Sequence, residues 1–581
     1  MYILAYKDGH DPAACLMEDG VLIAAVEEER FTRKKHAPSV FPTESIRYCL
    51  KEAGITESDV THVVYARLKP IPTAFVVLWY YLTHPPRTRI ALRYARTHLL
   101  VQVRGALQEM LGRAGYQKIR RAFPHLPKKI WSFNHHLCHA ASAFFFSSFD
   151  KALVITWDGK GEATSLTISE GAGARMSVRE RRGIFQSLGL WFSGITQFLG
   201  FTPNDGEYKV MGLAPYGTPG VDLSSMVAPD EQRGFRISAD YALYPASANA
   251  FVRALGEPRM REAELTERYK DIGRAAQDAL ETAGLSFLQY AKRLVPAENL
   301  CLAGGVALNV KLNKVLWESG LCKRLFIQPA SGDDGLPLGA AALLSAQLTG
   351  KRPAPLSHLY LGPSYSNEEV EMALRARGVV YKKSADVENE TAALIAEGKV
   401  VGWFQGRMEF GPRALGNRSV LAHPSFPDMK EIINAKIKFR ESFRPFCPSI
   451  LEEKVRDFCV NYTESPYMVS SFTVVPSAAE AIAATVHVDG TIRPQAVSKK
   501  TNERYHRLIE AFEKKTGIPA LLNTSMNIRG EPIVCTPNDF IDFFQKTNVD
   551  AVVAGDLIAL RADQSPTFFQ TLSREKLHTH Y

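Results

Sequence analysis

The chain has 581 residues, which is too long for a single hydrophobic core, so we expect two domains. Apolar residues make up 46% and charged residues 23%, proportions typical of a soluble globular protein and not of a disordered chain. The eight cysteines are scattered, which argues against a disulfide framework or a thiolate zinc site and favours a reducing compartment. The N-terminus lacks the pattern of a signal peptide, so we expect a cytoplasmic protein.

The net charge of +9 is concentrated in one segment. Between Arg87 and Lys129 there are eleven lysines and arginines and one acid, Glu109, so the rest of the chain is close to neutral. The apolar run at 75–82 is far shorter than the about 20 residues that span a bilayer. We interpret 71–129 as an inserted, mostly helical region. Three roles stay open for this region: contact with an anionic membrane surface through residues 87–129, recognition of an acceptor, or a packed subdomain with a solvated basic face.

Two strand patterns in the first half of the chain resemble each other. Residues 2–5 and 17–26 read as strands with an Asp-Gly turn, followed by a helix over 43–53. The pattern returns at 152–168, where residues 158–161 form the predicted turn. A repeated strand–Asp-Gly–strand unit indicates a duplicated nucleotide-handling fold, in which N–H groups of glycine-rich turns hold phosphate oxygens.

A candidate metal site lies between and after these copies. His135 and His139 are four residues apart in a predicted helix, so both imidazoles project from one face and can share a divalent cation. Asp333, which follows a predicted strand at 325–328, is the best candidate for a third ligand. Two histidines and a carboxylate with open coordination positions suit Fe(II), Zn or Mn.

A strand, the pair Gly304-Gly305 and a helix follow each other at 299–313. Such a junction can place a nucleotide against a helix N-terminus. A close-packed corner would explain the glycines equally well, but it would not explain Asn309 and Asn313 on one face of the helix.

The proline-rich segment 347–358 reads as a linker, and the stretch 406–446 beyond it is rich in cations. Its cations lie among glycines, prolines and aromatics, which suggests a partly buried anion pocket, since arginine binds phosphate and carboxylate in a forked geometry. The alternative is a basic loop over a core. The cations are Arg407, Arg413, Arg418, Lys436, Lys438, Arg440 and Arg444.

Motifs along the whole chain resemble, in the same order, those of the NodU/CmcH-type O-carbamoyltransferases of nodulation-factor and antibiotic biosynthesis. The weakest match is the basic insertion, at about 66–130. The N-terminal motifs are EEERFTRKKH, HHLCHAASAF, GEYKVMGLAPYG, GGVALN and SGDDGLPLGAA. The C-terminal motifs are GRMEFGPRALGNRS, IKFRESFRPF, VDGTIRPQAV and LLNTSMNIRGEPIV.

The resemblance implies an α/β protein of two domains. Residues 1–352 would form an actin/hexokinase-like duplicated domain, similar to tRNA threonylcarbamoyl transferase, with the insertion at about 71–129. Residues 353–581 would form a YrdC-like domain that makes carbamoyl-adenylate from carbamoyl phosphate and ATP, with Mg²⁺ bound to ATP. The first domain, with a metal expected to be Fe(II), would transfer the carbamoyl group to a hydroxyl of a small-molecule acceptor.

The resemblance also implies the site residues. The carbamoyl-phosphate and ATP pocket would contain Arg413, Lys438, Arg444, Arg493 and Ser525. In the first domain the metal ligands would be His135, His139 and Asp333, and the catalytic residues Asp8, His10 and Lys35. The adenylate would be bound there by Lys209, Gly304, Gly305 and Asn309. The base that takes the acceptor's proton stays open between Asp158, Glu207 and His10.

Two other functions compete with this interpretation. A small-molecule kinase of the actin/hexokinase type would transfer the γ-phosphate without carbamoyl phosphate, but it leaves the arginine-rich second domain unexplained. A tRNA-threonylcarbamoylating enzyme should carry a basic footprint outside 87–129, which is absent, so we expect no nucleic-acid partner. The acceptor stays open among oligosaccharides, aminoglycosides, β-lactam precursors and macrolides, because the fold does not decide it.

Overall fold

The computed structural model describes residues 1–112 and 114–569, so Arg113 of the basic segment and residues 570–581 of the predicted second domain lie outside it. It shows a mixed α/β protein that divides into two compact units. Of the described residues, the first unit comprises those within Met1–Glu28 and Pro38–Leu356, and the second comprises Glu29–Ala37 and those from Ser357 onward. The sequence did not indicate that Glu29–Ala37, within the predicted first domain, belongs to the second unit.

The first unit begins with a five-stranded sheet in the order β3-β2-β1-β4-β5. Strands β1, β2 and β3 are antiparallel, whereas β1, β4 and β5 are parallel. Asp19 and Gly20, both with positive φ, close the tight turn between β2 and β3, as the Asp-Gly pattern predicts. The strands are β1 (Tyr2–Lys7), β2 (Ala13–Glu18), β3 (Val21–Glu27), β4 (Val60–Tyr65) and β5 (Ile130–Ser132).

The second sheet, in the order β12-β11-β6-β7-β8, repeats the order and strand directions of the first. This repetition is the duplication expected of an actin/hexokinase-like region. Strands β9 and β10 form a separate hairpin. The strands are β6 (Lys151–Gly161), β7 (Thr164–Ala172), β8 (Arg175–Gly183), β9 (Val227–Asp230), β10 (Gly234–Ile237), β11 (Asn299–Ala303) and β12 (Arg324–Ile327).

One predicted turn is wrong. Residues 158–161 belong to β6, and the chain reverses after Gly161. The register of β6 and β7 shifts between Trp157 and Gly161, and such an irregularity re-aims side chains without ending the strand. Asp158 therefore lies on a strand and not in a hairpin turn.

Helices cover the sheets, and the tightest packing is between α6 and α12. A Cβ atom on Gly339 of α12 would lie 1.8 Å from the carbonyl oxygen of Cys138 on α6, so the close approach requires glycine. The helices are α1 (Glu29–Thr32, in the second unit), α2 (Thr43–Glu52), α3 (Pro70–Thr83), α4 (Arg89–Met110), α5 (Ile119–Ala122), α6 (His135–Phe144), α7 (Leu188–Phe198), α8 (Glu207–Leu213), α9 (Ala248–Leu255), α10 (Glu267–Leu294), α11 (Val310–Glu318) and α12 (Leu336–Thr349).

Helices α3 and α4 form a hairpin over residues 70–110, in the region predicted as an insertion. Its inner face is aromatic: Tyr80, Tyr81 and Tyr94 pack around Ile184 and Phe185 of the first unit. Of the helices in the described part of the chain, none is both long and apolar enough to cross a membrane.

The second unit is built on an eight-stranded mixed sheet in the order β13-β22-β21-β14-β15-β20-β16-β19. Both faces are buried: Val420 and Leu421, neighbours on β15, lie in different hydrophobic clusters. The strands are β13 (Lys382–Lys383), β14 (Val401–Phe404), β15 (Arg418–Ala422), β16 (Cys447–Leu451), β17 (Phe472–Thr473), β18 (Thr491–Ile492), β19 (Gln495–Val497), β20 (Ala520–Ser525), β21 (Ala551–Ala554) and β22 (Leu557–Leu560). The helices are α13 (Asn367–Ala376), α14 (Val387–Ala396), α15 (Met429–Ile433), α16 (Val455–Phe458), α17 (Glu503–Thr516) and α18 (Pro537–Lys546).

Candidate functional site

The two predicted metal-binding histidines lie side by side at the start of α6. Asn134 caps the helix by accepting a hydrogen bond from the backbone of Leu137 at 3.2 Å, and its own amide donates to Glu162 at 2.7 Å. The Nε2 atoms of His135 and His139 are 3.1 Å apart. Two ring nitrogens facing each other so closely in a buried place leave room for a shared cation.

Two carboxylates complete the cluster. Asp333 places Oδ1 3.5 Å from Nε2 of His135 and 3.7 Å from Nε2 of His139. Asp158 places Oδ2 3.2 Å from Nε2 of His135. The sequence analysis predicted Asp333 as a ligand, but it named Asp158 only as a candidate base.

The four side chains fit a divalent cation. One donor atom from each of His135, His139, Asp158 and Asp333 lies within 4.8 Å of the others. Ligands bonded at about 2.1 Å in tetrahedral or octahedral geometry are separated by roughly 3.0–3.4 Å, close to the shorter distances seen here. His136 is not part of the set, because its ring contacts Thr156 Oγ1 at 2.8 Å and the carbonyl of Thr164 at 3.1 Å. The donor types suit Fe(II), Zn or Mn.

The charges of the cluster are those of a cation site. Burial opposes ionisation of Asp158, but the hydrogen bond with His135 lowers its pKa to about 2. Burial also opposes ionisation of Asp333, yet Lys7 and the two histidines hold its pKa well below the usual range. Burial lowers the pKa of His139, whereas for His135 the two carboxylates outweigh burial and raise it. Both carboxylates are therefore ionised at neutral pH.

Lys7, on β1, ties the cluster to the loop that carries Asp8 and His10. Its ammonium lies 2.7 Å from Oδ2 of Asp333 and donates to the backbone carbonyl of His10. Tyr65 donates a hydrogen bond to Oδ1 of Asp8 at 2.6 Å. The loop that carries the predicted residues Asp8 and His10 is thus connected to the cluster through Lys7, which the sequence analysis missed.

His10 and Arg67 extend this region. His10 is exposed, and its Nδ1 lies 2.6 Å from Oδ2 of Asp11. Tyr65 raises the pKa of Arg67 despite burial, with further contributions from Asp8 and Asp333, so Arg67 carries a permanent charge beside the cluster. The sequence analysis missed Arg67, because a single arginine after an apolar strand does not form a recognisable motif.

The glycine pair at the end of β11 holds Asp158. The backbone N–H of Gly305 donates to Oδ1 of Asp158 at 3.0 Å. Gly304 has φ +92°, and a Cβ there would lie 2.3 Å from the carbonyl oxygen of Trp157. The pair thus supports the candidate metal cluster through its backbone.

The other predicted residues of the first unit have contacts of their own. Asn309 caps α11 and exchanges hydrogen bonds with Gln277 at 2.9 and 3.0 Å. Lys209 lies on α8 with its ammonium 5.5 Å from the centre of the Phe201 ring. The carboxylate of Glu207, a candidate base, accepts hydrogen bonds from Ser193 Oγ and from the backbone N–H groups of 204 and 206, so it holds a loop.

The second unit contains a separate cationic cluster around Lys438. A π-helical turn, Asn434–Lys438, follows α15 and aims Lys438 at the end of β20. Its ammonium lies 2.5 Å from the carbonyl oxygen of Ser525, and 3.1 and 2.8 Å from the carbonyl and side-chain oxygens of Asn527. The structure thereby brings the predicted residues Lys438 and Ser525 together.

Positive charge is concentrated at this point. Burial lowers the pKa of Lys438, and Arg440, Arg444 and Lys35 lower it further. A bound anion would offset this repulsion. Lys35, which the sequence analysis assigned to the first domain, lies in the segment Glu29–Ala37 of the second unit.

Arg413 and Arg493 belong to the same unit. Arg493 donates from Nε and Nη2 to Sγ of Cys447, at 3.1 and 2.9 Å, and Cys447 pairs in register with Asn523, two residues before Ser525. Arg413 lies in a loop organised by a buried carboxylate that the sequence analysis missed. Oε1 of Glu409 accepts hydrogen bonds from three backbone N–H groups, those of residues 415, 417 and 418.

Three cations of the stretch 406–446 support the fold instead. Arg418 is fully buried, donates to the carbonyls of 363, 405, 406 and 417, and lies 3.7 Å from the centre of the Phe404 ring. Arg407 donates to the carbonyl of 361 at 2.6 Å, and Lys436 pairs with Asp550 at 2.8 Å. The stretch is therefore not a single anion pocket.

Comparison with known proteins identifies the family. Residues 3–342 match the model described as "Carbamoyltransferase N-terminus", and residues 392–561 match "Carbamoyltransferase C-terminus". The chain is 40% identical to an uncharacterized protein of Synechocystis over 96% of both chains. It is 37% identical to nodulation protein NolNO of Sinorhizobium fredii, over 97% of this chain and 81% of that protein.

Among solved structures, full-length HypF in its phosphate- and nucleotide-bound form aligns with a TM-score of 0.34 and 12% identity. The alignment covers 60% of this chain and 56% of that one. A TM-score this low carries no argument about the fold, which rests here on the strand order of the two sheets. The two family matches together cover most of the chain, including both charged clusters, and the chain therefore belongs to the carbamoyltransferase family.

Proposed function

We propose that this protein is an ATP-dependent O-carbamoyltransferase in which the second, YrdC-like unit makes carbamoyl-adenylate and the first unit transfers the carbamoyl group to a hydroxyl acceptor. The observation that carries the proposal is the cluster around Lys438, with Arg444 and Ser525, inside the segment that matches the carbamoyltransferase C-terminus. Carbamoyl phosphate is a compact dianion, and cations fixed around a buried point offset its charge.

The reaction proposed for the second unit balances as follows. Water and carbamoyl phosphate give carbamate and inorganic phosphate, and a carbamate oxygen then attacks the α-phosphorus of ATP, from which pyrophosphate leaves. Lys438 and Arg444 would bind the phosphate groups, with Mg²⁺ accompanying ATP. Fixed donors aimed at the developing charge typically contribute about 3–4 kcal/mol each. We assign Arg413 and Arg493 to the same pocket. The support for Arg493 is its contact with Cys447, whose strand pairs with the strand that ends at Ser525.

In the first unit, the acceptor hydroxyl attacks the carbamoyl carbon and AMP leaves. A divalent cation held by His135, His139, Asp158 and Asp333 would supply Lewis-acid stabilisation of phosphate charge. His10 is our candidate for the base, because the lowered pKa of Asp158, about 2, makes that carboxylate a weak base and Glu207 holds a loop. The Asp11 carboxylate beside Nδ1 would orient the His10 ring.

The first experiment separates the two half-reactions. Purified protein is given carbamoyl phosphate and ATP, and pyrophosphate, AMP and ADP are measured with and without acceptor candidates. We expect pyrophosphate that depends on carbamoyl phosphate, and AMP when a hydroxyl acceptor gains one carbamoyl group by mass. ADP formed without carbamoyl phosphate would instead assign a kinase activity and overturn the proposal.

Two variants test the assignment of the units. Lys438→Ala should abolish pyrophosphate release, whereas the matched control Lys436→Ala, whose ammonium pairs with Asp550, should keep it within about twofold. Asp333→Asn should retain pyrophosphate release and lose transfer. Loss of both half-reactions in Asp333→Asn, in a protein that melts normally, would contradict the division of labour.

A further inference from the structure

The outer face of the α3–α4 hairpin is exposed and apolar. Helix α3 contains no charged residue, and Phe75, Trp79 and Leu82 on its outer side are each more than 60% exposed. Of the 22 large hydrophobic residues exposed in the described chain, twelve lie between 75 and 111. The largest contiguous apolar patches on soluble proteins mark contacts with partners or membranes.

The inner face of the hairpin is already satisfied. Tyr80, Tyr81 and Tyr94 pack on the first unit, and the hydroxyl of Tyr81 contacts Nδ1 of His98 at 2.9 Å. The exposed face is therefore separate from the face that packs against Ile184 and Phe185. The helix pair thus has two apolar faces: the inner face holds it against the rest of the first unit, and the outer face is exposed.

Exposed cations lie among the apolar residues. Arg89, Arg93, Arg96 and Arg104 project from the solvent-facing side of α4, together with Leu100, Leu107 and other apolar residues. None of the ion pairs found among the described residues involves these four arginines. The one acid of the segment, Glu109, faces inward, where it accepts hydrogen bonds from Ile71 N and Tyr116 Oη at 2.7 Å each. The positive charge of the face is thus not neutralised locally.

We propose that the α3–α4 hairpin docks the protein on an anionic lipid bilayer, with Phe75, Trp79 and Leu82 in the interfacial layer and the arginines of α4 on the lipid headgroups. Helices that lie in the membrane interface typically combine tryptophan, phenylalanine and leucine with arginines that have no acidic partner nearby. Anionic headgroups complement the charge. A second copy would not, because a two-fold interface would place the same cations opposite each other.

Trp79 provides a direct probe. All six tryptophans lie in the described residues, and Trp79 alone among them is exposed. The full chain is mixed with phosphatidylcholine vesicles that contain or lack phosphatidylglycerol, and both sedimentation and tryptophan emission are recorded. We expect sedimentation and a blue shift with the anionic vesicles. Trp79→Phe should keep the binding and lose the shift.

Substitutions separate the two contributions. Trp79→Ser with Leu82→Ser should remove most binding, whereas the exposed apolar control Met372→Ser should not. Each of Arg93→Gln and Arg96→Gln should weaken binding to anionic vesicles by roughly fivefold, since one surface cation near the bilayer contributes about that factor. Arg253→Gln, an exposed arginine on α9, is the matched control.

Three results would overturn the proposal. One is absence of sedimentation with anionic vesicles by the unmodified chain. Another is equal binding by the hairpin variants and the controls. The third is self-association in sedimentation velocity that Trp79→Ser abolishes, with no vesicle binding, which would assign the face to contact with a second copy. None of these measurements depends on catalytic activity, so they are independent of the proposed carbamoyl transfer.

Discussion

The ammonium of Lys7 lies 2.7 Å from Oδ2 of Asp333, while the other oxygen of the same carboxylate faces His135 and His139. Lys7 is only 1% exposed. One aspartate is therefore shared between a lysine on β1 and the candidate metal cluster. The lysine compensates part of the negative charge that the cluster would otherwise concentrate when no cation is bound.

Lys7→Met should destabilise the chelated protein by about 3 kcal/mol, because removing one member of a buried ion pair leaves the other uncompensated. A divalent cation should restore part of this loss, since it replaces the missing charge. The measurement is the melting temperature with chelator and with added metal, and the gap between the two should widen in Lys7→Met. The exposed pair of Lys151 and Glu170 is the control, and Lys151→Met should cost less than about 1 kcal/mol. If the difference in melting temperature between chelator and metal is the same in Lys7→Met and the unmodified protein, Lys7 does not compensate the charge of the cluster.

Asp158→Asn tests whether the cluster has four protein ligands or the three indicated by the sequence. Neutralising a carboxylate donor should lower metal affinity by at least about tenfold, measured by competition with a chelator. Asp334→Asn is the matched control, because this neighbour of Asp333 is not one of the four clustered donors. If Asp158→Asn and the unmodified protein bind the metal with equal affinity, Asp158 is not a metal ligand.

Two arginines of one stretch should behave in opposite ways. Arg418→Met removes hydrogen bonds to several buried carbonyls and should destabilise the second unit by about 3–5 kcal/mol, a melting-temperature loss of roughly 10 °C. Arg444→Ala should melt nearly normally and lose pyrophosphate release. Calorimetry and the pyrophosphate assay separate the two. A large stability loss in Arg444→Ala would show that it supports the fold instead.

The hairpin should loosen in acid. Burial lowers the pKa of His98 to about 4, against about 6.5 for a solvated histidine. Between these values the folded hairpin binds fewer protons than the unfolded chain, so its stability is complete above about pH 6.5 and declines as the pH falls toward 4. The loss is up to about 3 kcal/mol. Amide exchange of α4 from pH 7 to 4 measures it, and His98→Phe should flatten the dependence. A slope equal in both proteins would exclude His98 as its source.

Much of the candidate site was visible in the sequence because it rests on local spacing. The interval between His135 and His139 is one helical turn, so α6 alone places both rings on one face. The repeated strand–turn pattern indicated the duplicated region for the same reason, since strand alternation and hairpin turns are local properties. The cations near Lys438 were also visible as a composition that does not suit a solvated helix.

Other features depended on which distant segments meet. Lys7 and Asp333 are 326 positions apart, and neither a lysine on an apolar strand nor one carboxylate of an acidic pair indicates its partner. Asp158 joined the cluster because β6 continues past the expected turn through an irregular register. Glu409 became important only because its carboxylate meets three N–H groups of a folded loop.

The sequence by itself determined the family, the helical pair of histidines and the concentration of charge in 87–129, because motifs, helical period and composition can be read along the chain. The tertiary structure decided that Lys35 belongs to the second unit, that Arg418 supports the fold, and that Phe75, Trp79 and Leu82 of α3 face solvent. Burial and long-range contact settle these points. Whether an arginine binds a ligand or supports the core depends on whether buried carbonyls surround it, and the whole fold determines those neighbours.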